Sequence, residues 1–143
     1  MFHRSYFDPF RPFYPIGNSK AINLAEYLPP EIDVDALLLG CGDVRNILFR
    51  LFSEFDSGYT ASATRKYSFT CCDIDPGIIA RNILILAMIM NKEDVKSIWS
   101  IYYDFLIPDK CSVSLKKYVE QLLCSADTIE SWSNSDIGKI LKI

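Results

Sequence analysis

Between Val34 and Met90 the chain alternates short apolar runs with longer amphipathic ones. The run VDALLLG, Val34 to Gly40, is apolar and bounded by turn residues, the pattern of a strand buried on both faces. Behind it Val44, Ile47, Leu48, Leu51, Phe52 and Phe55 recur at i, i+3, i+4, i+7, i+8 and i+11. That spacing predicts an amphipathic helix, with Asp43 at its N-cap. Asp56 to Lys66 is polar and predicts a loop. YSFTCC, Tyr67 to Cys72, predicts a second strand. DIDPG then leads into a second helix through IIARNILILAMIM, Ile78 to Met90, buried on most sides, with Pro76 in its first turn. Arg81 and Asn82 interrupt that apolar run, so each requires a polar partner. Strand, helix, strand, helix with so long a connection predicts a right-handed crossover and parallel strands.

The flanks read differently. Residues 1–33 mix aromatics with Pro9, Pro12 and Pro15, which block regular helix. They form an aromatic strap, on the core or on a partner. Asn18 or Ser19 then caps a short helix through Leu28, ended by Pro29 and Pro30. After Asn91 no further clear strand is read: Ser97 to Pro108 is aromatic and fits helix or strand, with helix preferred, Leu115 to Leu123 is helical with Leu115, Val119 and Leu122 on one face, and a last short helix has Ile137, Ile140 and Leu141 apolar. The expected fold is α/β in a single domain, 1–143. It is a partial Rossmann-like, three-layer core over 34–91 with few parallel strands, followed by a helical C-terminal part, 92–143. Two strands leave edges and faces open. The chain therefore packs extra helices around a minimal sheet, pairs with another chain, or is truncated from something longer.

Composition narrows the function classes. Half of the 143 residues are hydrophobic and 13% aromatic, so the chain has material for a core. A net charge of −3 with scattered lysines argues against nucleic acid as a partner. The Ile78–Met90 run falls short of the ~20 residues that span a bilayer, so no membrane is expected. MFHRSYFDPF has no apolar signal core, and the cysteines number five: Cys41, Cys71, Cys72, Cys111 and Cys124. A reduced, intracellular, cytoplasmic protein follows as the expectation. There is no C-x-x-C and the single histidine is His3, so no metal is expected. Cys71 and Cys72 read as core cysteines, and Cys41 as a packing thiol.

The candidate chemistry lies at the carboxyl ends of the two strands, where ligands bind in doubly wound folds. Those ends carry GCGD, Gly40 to Asp43, and DID, Asp73 to Asp75. Gly40 and Gly42 permit a sharp turn and a close backbone approach. The helix amides that follow carry partial positive charge. Asp73 stands where an acid accepts hydrogen bonds from ribose hydroxyls. The bland reading is a tight turn without ligand. Asp43 then caps a helix, one of Asp73 and Asp75 caps the next, and Arg45 pairs with Asp73 or Asp75 to fill the crevice. Two carboxylates without further ligands rarely hold a divalent cation.

LLLGCGD followed by FTCCDIDPGIIARNIL resembles the first two motifs of class I S-adenosylmethionine-dependent methyltransferases. The resemblance implies that Gly40, Gly42, Asp43 and Asp73 would hold that cofactor. The chain departs from the pattern at Leu38, where an acid is usual, and at Asp43, Val44 and Arg45, where a third glycine is usual. A D/N-P-P-Y type catalytic run is absent. The strings FYPIGNSKAINLAEYLPPE, DALLLGCGDVRNILF and FTCCDIDPGIIARNILIL, with the tail from SIWSIYYDFLIP through SWSNSDIGKILKI as a later helical part, resemble over nearly the whole chain the fungal domain of unknown function 4470. That family is related to the N-terminal domain of an axonemal dynein assembly factor, and some longer members carry a MYND zinc finger. Two expectations follow. The first is a non-enzymatic interaction or assembly domain on a degenerate methyltransferase-like core, with a protein partner or self-association, no cofactor and no catalytic residue. The second is an S-adenosylmethionine-binding domain, with methyl transfer completed by residues outside this chain.

Overall fold

The computed structural model describes residues 19–29, 31–56, 65–104, 106–127 and 129–140. The expected strap over 1–18, including Asn18, the centre of the expected loop at 57–64, and Leu141 lie outside the described residues. The elements in chain order are β1 (Val34–Leu39), α1 (Arg45–Asp56), β2 (Tyr67–Cys72), α2 (Pro76–Met90), α3 (Val95–Tyr103), α4 (Asp109–Ser125), α5 (Ile129–Asn134) and α6 (Asp136–Ile140). The class is mixed α/β, and from α2 onward every described element is a helix. The chain divides into two compact units, Met1–Ile79 and Ala80–Ile143.

In the first unit β1 and β2 pair in parallel, Val34 opposite Tyr67 through Leu39 opposite Cys72. The ladder runs past both strand ends. Val34 N–H donates to the Lys66 carbonyl at 2.9 Å, and Cys41 N–H donates to the Cys72 carbonyl at 2.9 Å. Asp33 Oδ1 accepts from Lys66 N–H at 2.9 Å. Arg65 donates to the carbonyls of Pro29 and Ile32, tying the entry of β1 to that of β2.

Three expectations are corrected here. β1 is not buried on both faces. Its exposure alternates, with Val34 buried while Leu37 and Leu39 are 62% and 76% exposed. β2 alternates likewise, so Cys72 is exposed rather than in the core. The reason is the period of two: each strand offers one face to the core, and no described element covers the other. The helix expected up to Leu28 is a turn. Asn23 Oδ1 accepts from Ala25 N–H at 3.1 Å, and the backbone bonds there close on i−3 carbonyls. A local Asx turn outcompetes the helix.

The apolar face of α1 is also shifted from its expected position. Val44 and Ile47 are buried, but Leu51 and Phe52 are 46% and 59% exposed, and Arg50 is buried instead. Arg50 donates to the Tyr67 hydroxyl and stands 5.1 Å from the centre of its ring. Arg65 stands 5.6 Å from the same ring. A guanidinium with a long apolar stem and an aromatic partner competes with leucine for such a place.

In the second unit Ala87, Met88 and Tyr118 form a buried cluster, with Leu84, Ile98, Ile101, Leu122 and Ile137 packed against it. Arg81 finds its expected partner in the Tyr102 carbonyl and lies 4.4 Å over the Tyr102 ring. α2 ends in a Schellman turn. Lys92 has φ +54°, Lys92 N–H donates to the Ile89 carbonyl, and Glu93 N–H donates to the Met88 carbonyl. The last apolar run splits into two helices at Ser135, whose hydroxyl accepts from Gly138 N–H at 2.9 Å. Among the described residues, no helix is long and apolar enough to cross a membrane.

Candidate functional site

Gly40 and Gly42 have φ of +62° and +57°. Both lie in the left-handed region, which costs a residue with a Cβ about 1–2 kcal/mol. A Cβ at either position would meet nothing within 4 Å. The glycines are therefore required by backbone conformation, and the space over the turn is open. The turn reverses the chain between β1 and α1, and it presents Gly42 N–H toward the end of β2.

That amide meets Asp73. Asp73 Oδ2 accepts from Gly42 N–H at 3.0 Å, and Oδ1 accepts from Asp75 N–H at 3.1 Å. The same carboxylate thus ties the two strand ends together. These N–H groups, that of Asp75 foremost, hold its carboxyl below the usual carboxylate range. Asp75 caps α2: its Oδ1 accepts from Gly77 N–H at 2.8 Å, one position after Pro76.

Asp43 serves the start of α1. It is buried, its Oδ1 accepts from Arg45 N–H at 3.2 Å, and the Arg45 Nε lies 3.3 Å from the same oxygen. The remaining Arg45 nitrogens donate to the Ser19 carbonyl and, at 3.1 Å, to the Ser19 hydroxyl. Ser19 is thereby an acceptor for Arg45 and not a helix cap. The expected pairing of Arg45 with Asp73 or Asp75 is corrected accordingly. An acid two residues earlier in the same turn is nearer than the carboxylates after β2, so Arg45 folds back along its own helix. Asn46 Oδ1 accepts from Ile22 N–H at 3.1 Å, a second link from α1 to residues 19–29.

Of the sequence-predicted residues, Gly40, Gly42 and Asp73 come together at one end of the sheet, while Asp43 is directed to α1. Two further groups at that end carry no signal in the linear pattern. Cys41, between the glycines, donates its thiol to the Gly42 carbonyl at 3.7 Å, and Cys71 lies on β2. Burial, with Cys71 and Asp73 nearby, pushes the Cys41 thiol up to about 11, and burial also raises Cys71. Only the register of the strands brings Cys41 to the end of β2, where its N–H meets the Cys72 carbonyl. Among the described residues, no group of three or more histidine, cysteine, aspartate or glutamate side chains converges as a metal site would require.

A family model covers this arrangement. It is described as a domain of unknown function, DUF4470, and it matches residues 15–107. The chain belongs to the DUF4470 family. The DUF4470 match takes in the whole parallel pair, the glycine turn, Asp73 and the helices through α3. No curated protein and no solved structure matches the chain.

Proposed function

We propose that this DUF4470 chain is a non-enzymatic interaction or assembly domain on a degenerate methyltransferase-like core. The observation that carries the reading is the Gly42–Asp73 hydrogen bond. In the cofactor-binding arrangement, the turn amide and the acid after β2 both face the ligand. Here the carboxylate accepts from the turn itself and from Asp75 N–H, so both groups are engaged within the protein. The exposed apolar side chains Leu37, Leu39, Leu51 and Phe52 offer surface to a protein partner or a second copy. The relation to the N-terminal domain of an axonemal dynein assembly factor and the fungal origin that the sequence resemblance implies belong to the same proposal.

A second reading is favoured by the open space over Gly40 and Gly42. A carboxylate has about four lone-pair sites, so Asp73 keeps acceptor capacity for ribose hydroxyls beside the two amides. Gly40, Gly42 and Asp73 would then hold S-adenosylmethionine, which supplies an activated methyl group, while Asp43, buried against Arg45, would brace the start of α1. The chain's own part would be to bind and orient it.

Calorimetric titration with S-adenosylmethionine and S-adenosylhomocysteine separates the two. The expected outcome is no heat at millimolar ligand for the folded wild type and for Asp73→Ala alike. Micromolar binding that Asp73→Ala abolishes would establish the cofactor-binding reading instead.

A further inference from the structure

We propose that the second unit carries a binding site for a free α-amino acid, in the cleft between α4, the end of α2 and the α5–α6 junction. The cleft has a volume of about 490 Å³, within the ~300–1,000 Å³ of small-molecule sites. All of its walls belong to the second unit. One wall is a single face of α4, where Lys117, Glu120, Gln121 and Cys124 stand at i, i+3, i+4 and i+7. Asn91, just past α2, and Ser135 and Ile137, at the α5–α6 junction, line the rest. The walls are held from within. Ser131 Oγ donates to the Ser125 carbonyl at 3.0 Å, which ties α5 to the end of α4. Ser135 Oγ donates to the Trp132 carbonyl at 2.7 Å and accepts from Gly138 N–H, which fixes the junction. Ile137 packs against the buried cluster of Ala87, Met88 and Tyr118.

The charges select the ligand. α2 and α4 both end at this cleft, and neither has a basic residue in its last turn. Helix C-termini carry partial negative charge, and Glu120 adds a full one. Those groups suit an ammonium. Lys117, one turn before Glu120, suits a carboxylate. Among the described residues, Lys117 and Glu120 form no ion pair with each other. Lys117 Nζ stands instead 5.7 Å from the centre of the Tyr118 ring. A purely anionic ligand would face Glu120 and both helix ends, and a purely cationic one would face Lys117. An α-amino acid carries both charges on one carbon and meets both walls. The side-chain amides of Asn91 and Gln121 can donate to its carboxylate or accept from its ammonium. Lys117 and Glu120 are exposed, so solvent screening keeps the affinity in the millimolar range.

Cys124 reports on the cleft, and Cys72, exposed in the first unit, serves as the internal reference. The test is iodoacetamide labelling of the full chain, read at each cysteine by peptide mapping. It is run with and without each common L-amino acid other than cysteine, at millimolar concentration. At least one amino acid should slow Cys124 labelling, roughly threefold at twice its Kd, while Cys72 labelling is unchanged. Its N-acetyl and methyl ester derivatives, each lacking one charge, should not protect. Lys117→Met and Glu120→Gln should each lose the protection, read as the ratio of rates with and without ligand. No protection of Cys124 by any amino acid would overturn the proposal. So would equal slowing at Cys72, or protection that survives in both variants. Blocked derivatives that protect as well as the free amino acid would also overturn it, and that arm uses the wild-type chain alone.

Discussion

At the scale of single residues, the glycine turn and Asp73 decide how the end of the sheet is built. Gly40 and Gly42 carry positive φ with open space around them. Alanine there meets no neighbouring atom but must hold its Cβ in a left-handed conformation, so Gly42→Ala should cost about 1–2 kcal/mol. Urea denaturation reads that cost as a lowered midpoint with an unchanged slope. Asp73 adds a pH dependence. Its folded-state pKa is depressed by the N–H groups of Asp75 and Gly42. Its contribution to stability is therefore complete above the unfolded carboxylate value of about 4 and is lost as pH falls through the lower folded value. The group is partly exposed, so that contribution is small, about 1 kcal/mol after solvent screening. Asp73→Asn should remove it, giving a flatter fall in the urea midpoint between neutral pH and acid than the wild type shows.

At the scale of elements, close approach matters more than propensity. α6 is only five residues long and holds its place through Ser135 and Gly138. A Cβ on Gly138 would lie 1.8 Å from the Trp132 carbonyl oxygen, a backbone atom that cannot swing aside. Gly138→Ala should therefore force α5 and α6 apart and cost about 1–3 kcal/mol, measured by thermal unfolding. In α1 the element forms where its periodicity puts it, but the face it buries is chosen by Tyr67. The ring takes Arg50 and leaves Leu51 and Phe52 exposed. A helical pattern specifies which residues share a face, and a strand from elsewhere in the chain decides which face is inward.

At the scale of the whole molecule, the exposed sheet face is where the proposed interaction role can be tested. Leu37 and Leu39 stand exposed on one side of a two-stranded parallel sheet. Two strands bury too little to be stable alone, and among the described residues no further strand pairs with either outer edge. If that face serves association, replacing Leu37 and Leu39 together by Asp should abolish self-association or partner capture. Stability should change by no more than about 0.5 kcal/mol per exposed position. Sedimentation velocity over a concentration series, beside urea unfolding of the same variant, checks both parts. Loss of folding rather than of association would show the face to be part of the core.

Local pattern alone determined the order of elements through α2, the limits of β2, the parallel pairing and the glycine turn. Each depends on spacing within about a dozen residues: a period of two, a period near 3.6, or a proline and glycine at a helix start. It also placed Gly42 and Asp73 at the same end of the sheet, because strands in one crossover unit point the same way. Tertiary structure alone decided how those residues use their hydrogen bonds. Asp73 turns to Gly42, and Arg45 to Asp43 and Ser19. These partners lie up to 31 positions apart in the chain. Hydrogen-bond reach is about 3 Å, so a one-residue change of strand register would part Asp73 from Gly42 while leaving the linear pattern intact.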